Sequence, residues 1–383
     1  MNISFDVLPL ISENMSGIGY CQAGLVGEMI ESHPEDCYTY EYFSRKDHEI
    51  KRNRLSVFMQ KNCRTNESHF SGFLYRSVMN IIPVPYSFFF GKKSELTHFF
   101  NYIIPPFVHG KKVVTIHDMV IKAYPETVRF RTKQFLYTGM KKSMRRADVI
   151  ITDSEFSKSE IIKYYPKYKD KIKVIYCGVN LEKFHPINDA ERINTVKKNL
   201  DITGEYFLYL GTIEPRKNLE LLIEAYKLLL DKDSNVPSLV MAGGKGWLNS
   251  RIYQKVTELG LENKVKFTKY IPDEDMCPLV NGATAFVFPS IYEGFGMPPL
   301  EAMACGVPVV SSGEASLPEV VGDCAVIVDA YSSQSICDGM YKIYSDEKLR
   351  ADLKKRGPER AAQFTWEKSA QALHDIYKAV TDK

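Results

Sequence analysis

From residue 206 onward, short apolar runs alternate with segments of helical spacing, and this alternation limits the possible folds more than any other feature. Such short runs, bounded by glycine and proline, are typical of buried strands. Strands that are separated by helices form parallel sheets, so the pattern predicts a doubly wound α/β domain. The expected strands are 206–210, 238–241, 264–267, 285–288, 307–310 and 325–328, and the expected helices are 219–230, 249–260, 273–280, 298–305 and 338–356.

The first half of the chain repeats this pattern less regularly, and residues 44–95 show no clear periodicity. The expected strands there are 3–8, 113–116, 149–152 and 172–175, with a helix at 18–31. Because 383 residues exceed what one core ordinarily holds, we expect two domains. The expected organisation is a first domain at 1–183, a polar linker at 184–205, a second domain at 206–365 and a final amphipathic helix at 366–383.

One strand–loop–helix junction, PSIYEGFGMPPLEAMACGVPVV at residues 289–310, combines a glycine-rich corner with two glutamates. The corner, residues 294–296, brings backbone amides to the start of a helix, where anions bind well. Glu293 and Glu301 lie on either side of it. The junction therefore suits a ligand that carries both phosphate and hydroxyl groups. A glycosidase carboxylate pair is disfavoured, since eight residues of helix span about 12 Å and hydrolases need about 5–9 Å.

A second junction, LGTIEPRKNLELLIEAY at residues 210–226, places two cations before a helix. Gly211 ends the strand, Arg216 and Lys217 lie in the turn, and Asn218 can cap the helix. Cations at a helix N-terminus are disfavoured by about 0.3–1 kcal/mol, so two together indicate that an anion lies between them. The Walker pattern is absent, which excludes a P-loop. A solvated turn is the alternative, and both interpretations stay open.

Two further glycine-rich turns follow expected strands, and a histidine follows a third. Gly17 and Gly19 occur in SGIG, and Gly243 and Lys245 occur in GGKGW. Turns of this kind at the C-terminal ends of parallel strands indicate ligand contacts, although each alone could be a plain turn. For SGIG to be a dinucleotide-binding fingerprint, a third glycine would be needed at position 22, where this chain has Gln22. His117 follows strand 113–116 and would face the same edge, with a structural role as the alternative.

Composition and charge exclude several classes of function. The net charge of +3 is too small to indicate nucleic-acid binding. The eight cysteines are scattered without a Cys-x-x-Cys pair, which indicates reduced thiols in a cytoplasmic protein and no zinc cluster. The N-terminus lacks a basic lead, so no cleaved signal is expected. The most apolar stretch, 81–90, contains prolines and is too short to span a membrane.

The segment 129–146 is basic, has no acidic residue and is interleaved with aromatic and aliphatic side chains. Such a segment could lie on an anionic membrane, at the inner face of the plasma membrane. Residues 86–90, followed by Lys92 and Lys93, could add to that surface. An ordinary amphipathic helix with a solvated basic face is the alternative, and both stay open.

The motifs GTIEPRKN, GGKGW and EGFGMPPLEAMACGVPVV, followed by PEVVGDCAVIVD, together resemble the retaining glycosyltransferases of family four. The second half of the chain matches nearly throughout, and the first half matches at SGIG, VVTIHD and RRADVIITDSEFSKSEI. The resemblance implies the GT-B fold, in which two Rossmann-like doubly wound domains face a cleft. It also implies that the final helix crosses back to the N-terminal domain, which binds the acceptor.

The resemblance implies four catalytic residues. Glu293 would contact hydroxyls of the donor sugar, and His117 would lie beside the transferred sugar. Arg216 and Lys217 would hold the diphosphate and its developing charge. Many relatives carry arginine where this chain has Thr212, so more of the charge stabilisation would fall to Arg216.

The same resemblance implies a set of residues that bind the donor. The ribose hydroxyls are assigned to Glu301, and the base to Tyr270 and Ile271. The full set is Gly17, Gly19, Gly211, Gly243, Lys245, Tyr270, Ile271, Gly294, Phe295, Gly296 and Glu301.

The implied reaction is transfer of a hexose from a nucleoside diphosphate to an acceptor hydroxyl with retained configuration. No metal or other cofactor is expected, since cations and helix termini supply the positive field. The motif spellings resemble mannosyl- and rhamnosyltransferases of bacterial surface polysaccharides, so we expect GDP-mannose as donor and a saccharide or lipid-linked saccharide as acceptor. Rhamnosyl or other hexosyl transfer from a TDP- or UDP-sugar is the alternative. A sugar-nucleotide epimerase and a non-catalytic nucleotide-sugar-binding protein are the alternative classes.

Overall fold

The chain folds into two compact units, each built on one parallel β-sheet. A computed structural model describes residues 1–13, 15–45, 47–79, 82–244, 246, 249–268 and 271–382. Among them, residues up to 178 and from 366 onward group into the first unit, and residues 179–365 group into the second. Helices cover both sheets, as the alternation of short apolar runs and helical segments predicts.

The sheet of the first unit has the strand order β3-β2-β1-β4-β5-β6-β7, and its strands pair in parallel. The order reverses between β1 and β4, which is the position where ligands bind in doubly wound sheets. In chain order, the strands are β1 (Asn2–Asp6), β2 (Cys37–Phe43), β3 (Cys63–Ser68), β4 (Leu96–Phe99), β5 (Lys111–Thr115), β6 (Val149–Thr152) and β7 (Ile172–Val174). The helices before the second unit are α1 (Gly17–Ser32), α2 (His48–Ser56), α3 (Gly72–Val78), α4 (Tyr86–Phe90), α5 (Val120–Ala123), α6 (Phe130–Arg146) and α7 (Glu155–Tyr164).

The sheet of the second unit has the corresponding order, β10-β9-β8-β11-β12-β13, again with parallel pairing. Its switch point lies between β8 and β11. The strands are β8 (Tyr206–Leu210), β9 (Ser238–Ala242), β10 (Val265–Phe267), β11 (Ala285–Phe288), β12 (Val309–Ser312) and β13 (Val326–Val328). The helices are α8 (Ala190–Asn199), α9 (Leu219–Lys232), α10 (Ser250–Glu258), α11 (Asp273–Asn281), α12 (Met297–Ala304), α13 (Leu317–Val321), α14 (Ser333–Ser345) and α15 (Glu347–Ala361).

The last helix, α16 (Trp366–Thr381), packs within the first unit, as the resemblance implies. The Trp366 ring lies so close to Gly24 of α1 that a Cβ atom there would be 2.2 Å from the indole. Farther along, Tyr377 and the buried His98 of β4 are joined by a hydrogen bond of 2.5 Å. These contacts fix the end of the chain against both a helix and a central strand of the first sheet.

Three expectations about secondary structure need correction. The segment 184–205 contains α8, capped by Asp189, and belongs to the second unit. The single helix expected at 338–356 is two helices, because the Asp346 side chain accepts a hydrogen bond from the Leu349 amide and starts α15. In the first unit, β2, β3 and β4 form three strands that the sequence pattern does not reveal.

Candidate functional site

The loops that follow β8 and β11 meet at the switch point of the second sheet and form a cluster of charged side chains. Lys217 Nζ donates a hydrogen bond of 2.6 Å to Glu293 Oε1, and Arg216 donates one of 2.8 Å to Glu293 Oε2. Arg216 also donates to Glu214 Oε1 at 2.8 Å and to the Tyr292 carbonyl oxygen at 2.6 Å. Adjacency of β8 and β11 therefore brings together charges that are 76 residues apart in sequence.

Burial makes the interactions in this cluster strong. Lys217 and Glu293 are each only 8% exposed. Burial alone would raise the pKa of the Glu293 carboxyl, but Arg216 and Lys217 outweigh it and lower the pKa to about 2. Burial lowers the pKa of the Lys217 ammonium, against the opposing pull of Glu293. The ammonium also lies 5.0 Å from the centre of the Phe288 ring. Glu293 is therefore ionised throughout the physiological pH range.

The solvated-turn interpretation of residues 215–217 is wrong, because Lys217 is buried in an ion pair. The sequence indicates an anion between the two cations, and within the chain that anion is the Glu293 carboxylate. The expected capping role of Asn218 is also wrong. Its backbone is left-handed (φ 61°), and its side chain caps no helical amide. Instead, Asn218 Nδ2 donates to the carbonyl oxygens of Pro289 and Ala330, at 3.1 and 2.6 Å, which fixes the cationic turn against the loop after β11.

The glycine-rich corner lies between Glu293 and α12, which has proline in its first turn as expected. Gly296 precedes that helix with φ 127°, a conformation that favours glycine. The hydroxyl of Ser316 lies 2.9 Å from the Glu293 carbonyl oxygen and 2.6 Å from that of Phe295. The Phe295 ring is buried edge-on against Phe364. Main-chain and packing contacts thus fix the corner, with Gly294 at its centre.

Glu301 lies in α12, and the pKa of its carboxyl is raised, whereas that of Glu293 is lowered. Burial raises the pKa of Glu301 to about 7, with a smaller opposing effect from Lys183. Lys183 itself forms an ion pair of 2.9 Å with Asp273. Of the two glutamates that flank the corner, one is held ionised and the other titrates near neutral pH.

Of the remaining expected donor-binding residues of the second unit, Gly211, Gly243 and Ile271 are described by the structure. A Cβ atom on Gly243 would lie 2.0 Å from the carbonyl oxygen of Gly211, so these two loops approach each other as only glycine allows. Ile271 is buried next to α11. Lys245 and Tyr270 lie outside the described residues.

In the first unit, His117 is buried at the end of β5 with both ring nitrogens engaged. Nδ1 lies 2.6 Å from Asp153 Oδ2, and Nε2 lies 2.8 Å from the carbonyl oxygen of Phe100. Burial alone would lower the pKa of His117, but the Asp153 carboxylate raises it to about 10. His117 is therefore an imidazolium at neutral pH, and both of its N–H groups are donated within the unit.

The glycine turn of the first unit begins α1. A Cβ atom on Gly19 would lie 2.3 Å from the Met15 side chain and 3.1 Å from the carbonyl oxygen of Pro9, so Gly19 lets the preceding loop pack on the helix. A Cβ atom on Gly17 would meet no atom within 4 Å. The structure thus gives a packing reason for Gly19, whereas the space beside Gly17 is open.

Sequence reasoning missed two carboxylates that complete these clusters. Glu214 pairs with Arg216, and Asp153 pairs with His117. Asp153 directly follows β6, and Glu214 lies in the loop after β8. An acid after a strand, on the edge where other charges gather, is the signal that could have identified them.

The basic segment 129–146 is largely the helix α6. Met140 and Met144 face the core, while Phe130 and Tyr137 are exposed. Lys122 lies 3.7 Å from the centre of the Tyr137 ring. Within the described residues, none of the helices has the length and apolar character that crossing a bilayer requires.

Comparison with known proteins identifies two family models on this chain. The model described as glycosyl transferases group 1 matches residues 191–360, and the model described as glycosyltransferase family 4 matches residues 95–183. O-antigen chain mannosyltransferase B of Escherichia coli is 35% identical over 286 residues, which are 75% of this chain and 74% of that protein. The serotype-specific mannosyltransferase WbdA of Escherichia coli is 34% identical over 270 residues. The match covers 69% of this chain and 33% of that longer protein.

Solved structures share the fold at low sequence identity. Sucrose-phosphate synthase from Thermosynechococcus elongatus superposes with a TM-score of 0.76 at 20% identity, covering 99% of this chain and 98% of that one. Anabaena Alr3699/HepE, solved in complex with UDP and glucose, superposes with a TM-score of 0.73 at 18% identity, covering 99% of this chain and all of that one (100%). These neighbours support the GT-B fold, with each unit a Rossmann-like domain.

Proposed function

The chain belongs to glycosyltransferase family 4, and we propose that it is a retaining, metal-independent hexosyltransferase that uses GDP-mannose. The acceptor would be a saccharide or a lipid-linked saccharide of a bacterial surface polysaccharide. The mannosyltransferase names of the relatives favour mannose over rhamnose and other hexoses. The proposal for a nucleotide-sugar donor rests on the buried cluster of Arg216, Lys217 and Glu293 at the switch point of the second sheet.

This cluster has the chemistry that a sugar diphosphate requires. A lysine ammonium has three N–H donors, and Glu293 is the hydrogen-bond partner of Lys217 among the described residues. A diphosphate at this edge would compete with the carboxylate for both cations, in a buried site where charge interactions are strong. As long as the two cations also contact Glu293, they keep its pKa low, at about 2, and the ionised carboxylate could accept hydrogen bonds from hydroxyls of the sugar.

The proposed step breaks the bond between the anomeric carbon and the diphosphate oxygen and forms a bond from that carbon to the acceptor oxygen on the same face. The bonding electrons leave with the diphosphate, and the acceptor hydroxyl proton moves to the departing phosphate oxygen. Lys217 and Arg216 stabilise the charge that develops on that oxygen, as fixed donors do in such sites. Glu301 would accept the ribose hydroxyls.

For His117 we propose a role through charge and position, not through proton transfer. A pKa of about 10 and two engaged N–H groups make it a poor general acid or base near neutral pH. A fixed imidazolium can stabilise negative charge on a substrate without moving a proton.

The donor is tested by a panel of GDP-, UDP-, TDP- and ADP-sugars, followed by thermal shift and by nucleotide release with and without acceptor. We expect selective stabilisation by GDP-mannose and GDP release that requires an acceptor. Stabilisation by a TDP- or UDP-sugar would shift the assignment to the rhamnosyl or other hexosyl alternative. Interconversion of sugars without nucleotide release would indicate an epimerase, and binding without turnover would indicate a non-catalytic protein.

We also propose that α6 docks the chain on an anionic membrane, which would give access to a lipid-linked acceptor. Its exposed aromatic side chains, Phe130 and Tyr137, accompany basic residues and no acidic ones. Sedimentation with vesicles tests the proposal, and we expect binding to phosphatidylglycerol vesicles that falls as salt rises. Equal partitioning onto neutral vesicles would contradict it.

A further inference from the structure

Two histidines and a glutamate converge at the C-terminal ends of β2 and β3 in the first unit. His48 begins α2, Glu67 lies near the end of β3, and His69 follows that strand. His48 Nδ1 lies 2.7 Å from Glu67 Oε1 and 3.2 Å from His69 Nδ1. Ser44 Oγ lies 3.1 Å from the same nitrogen. One imidazole nitrogen thus has three polar neighbours.

If both imidazole rings are neutral, hydrogen bonds can account for only some of these close contacts to His48 Nδ1. A neutral imidazole carries one N–H, so a proton on His48 Nδ1 would have to serve both a carboxylate and a second imidazole nitrogen. Ligand atoms of His48, Glu67 and His69 all lie within 4.8 Å of one another. A divalent ion accepts lone pairs from all three atoms at once.

The surroundings of Glu67 support a metal ligand. Its second oxygen, Oε2, accepts hydrogen bonds from Arg52 Nε and NH2 at 3.1 and 2.9 Å, and Tyr42 lies 3.4 Å away. Carboxylates that bind metals are usually oriented by such outer hydrogen bonds. Two imidazoles and one carboxylate with a fourth position open to water suit Zn²⁺.

Two other groups of described residues bring potential ligands equally close, but they suit an ion less well. One group consists of Cys21, Asp153 and Cys177, and its Asp153 is already paired with the imidazolium of His117. In the other, the rings of His33 and His374 stack at 3.5 Å with 7° between their planes. Lone pairs of stacked rings run parallel to each other and do not converge on one ion.

We propose that His48, Glu67 and His69 form a binding site for a divalent ion of the zinc class, with water completing the coordination. The ion would join the start of α2 to the end of β3. Arg54 of α2 donates a hydrogen bond of 2.7 Å to the carbonyl oxygen of Ile11, so the ion would also steady the loop that leads to the glycine turn. The site does not depend on the proposed glycosyl transfer.

The test uses the full chain, freed of metal with a chelator and titrated with Zn²⁺ in a calorimeter. We expect one ion per chain, and Co²⁺ in its place should give the visible absorption of a tetrahedral site. The His69→Ala variant should bind Zn²⁺ about 100-fold more weakly or worse, since loss of an outer partner alone costs about 10–100-fold. His69 is exposed, so its removal leaves the core intact.

The matched control is His109→Ala, which removes another exposed histidine of the same unit and should leave Zn²⁺ affinity unchanged. Equal Zn²⁺ affinity in His69→Ala and the wild-type chain would overturn the proposal. So would a Co²⁺ spectrum dominated by thiolate charge transfer, because binding would then reside at cysteines. Absence of Zn²⁺ binding to the wild-type chain would overturn it as well.

Discussion

The two sheets share one strand order around their switch points, yet they use buried charge in different ways. In the first unit, the His117 imidazolium donates one N–H to Asp153 and the other to a backbone carbonyl. In the second unit, Lys217 donates to Glu293 and has further N–H groups that no described residue accepts. Both clusters balance their charges internally, but of the two only the second has N–H groups that no described residue accepts.

This difference suggests how one scaffold serves two purposes. A saturated ion pair fixes the ends of neighbouring strands, since breaking a buried pair leaves an uncompensated charge. A cluster with donors in reserve can exchange its internal carboxylate for a ligand anion. We therefore expect changes to the first cluster to affect mainly stability, and changes to the second to affect mainly turnover.

The largest expected effect comes from Asp153→Asn. It should lower the free energy of unfolding by about 3–5 kcal/mol, because His117 loses its buried partner. The pKa of His117 is raised to about 10 in the folded chain, so the pair contributes fully below the unfolded value of about 6.5 and loses its contribution as pH rises through 10. Urea unfolding at several pH values should show the difference from wild type shrinking toward pH 10.

Asp170→Asn, at an exposed position of the same unit, is the control and should unfold like the wild-type chain. The proposed difference between the two clusters would be contradicted if the Asp153→Asn variant kept wild-type stability and lost as much turnover as a variant of the second cluster. In that case the first cluster would act mainly on the substrate.

Lys217→Ala should give the next largest effect, a fall in transfer rate of at least ~10²-fold, as loss of one fixed donor to a developing oxyanion does. Glu293→Ala should have a loss of similar size. Steady-state kinetics with the identified donor measures both, and the decrease should be in kcat. Lys227→Ala, at a partly exposed position of α9 whose side chain pairs with Asp231, serves as the control. Near-wild-type turnover in Lys217→Ala would remove the distinction between the two units.

The units also differ in how well the sequence predicts them. In the second unit, the strands at 206–210 and 285–288 have the expected bounds. A short apolar run that is bounded by glycine or proline is too short for a buried helix and therefore indicates a strand. In the first unit, β3 has the sequence CRTNES and lies at the edge of the sheet. An edge strand buries little apolar surface, so it carries no hydrophobic pattern to recognise.

The candidate site was predictable in its parts but not in its pairing. Arg216 and Lys217 before a helix indicate an anion, and the sequence alone cannot show that Glu293 fills that place. The pairing arises because β8 and β11 are neighbours in the sheet although two strands separate them in the chain. The left-handed conformation of Asn218 is likewise set by tertiary contacts with Pro289 and Ala330, which override its local preference for capping.

A pH dependence sharpens the comparison within the second unit, between the two glutamates of the corner. The pKa of Glu301 is raised to about 7 by burial, so its folded carboxyl stays neutral while the unfolded one ionises above about 4.3. Stability should therefore fall as pH rises from about 4.3 to 7, and Glu301→Gln should remove this dependence. Urea unfolding across this pH range measures it.

The same titration should appear in donor binding. If ionised Glu301 accepts the ribose hydroxyls, the KM for the donor should rise about tenfold per pH unit well below pH 7, as the acceptor is lost to protonation. Glu301→Gln should give a raised KM that no longer changes with pH, while kcat stays near the wild-type value. Glu293 cannot supply this dependence, since its pKa is about 2. A pH-dependent KM that persists in Glu301→Gln would assign the titration to another group and leave the ribose contact without support.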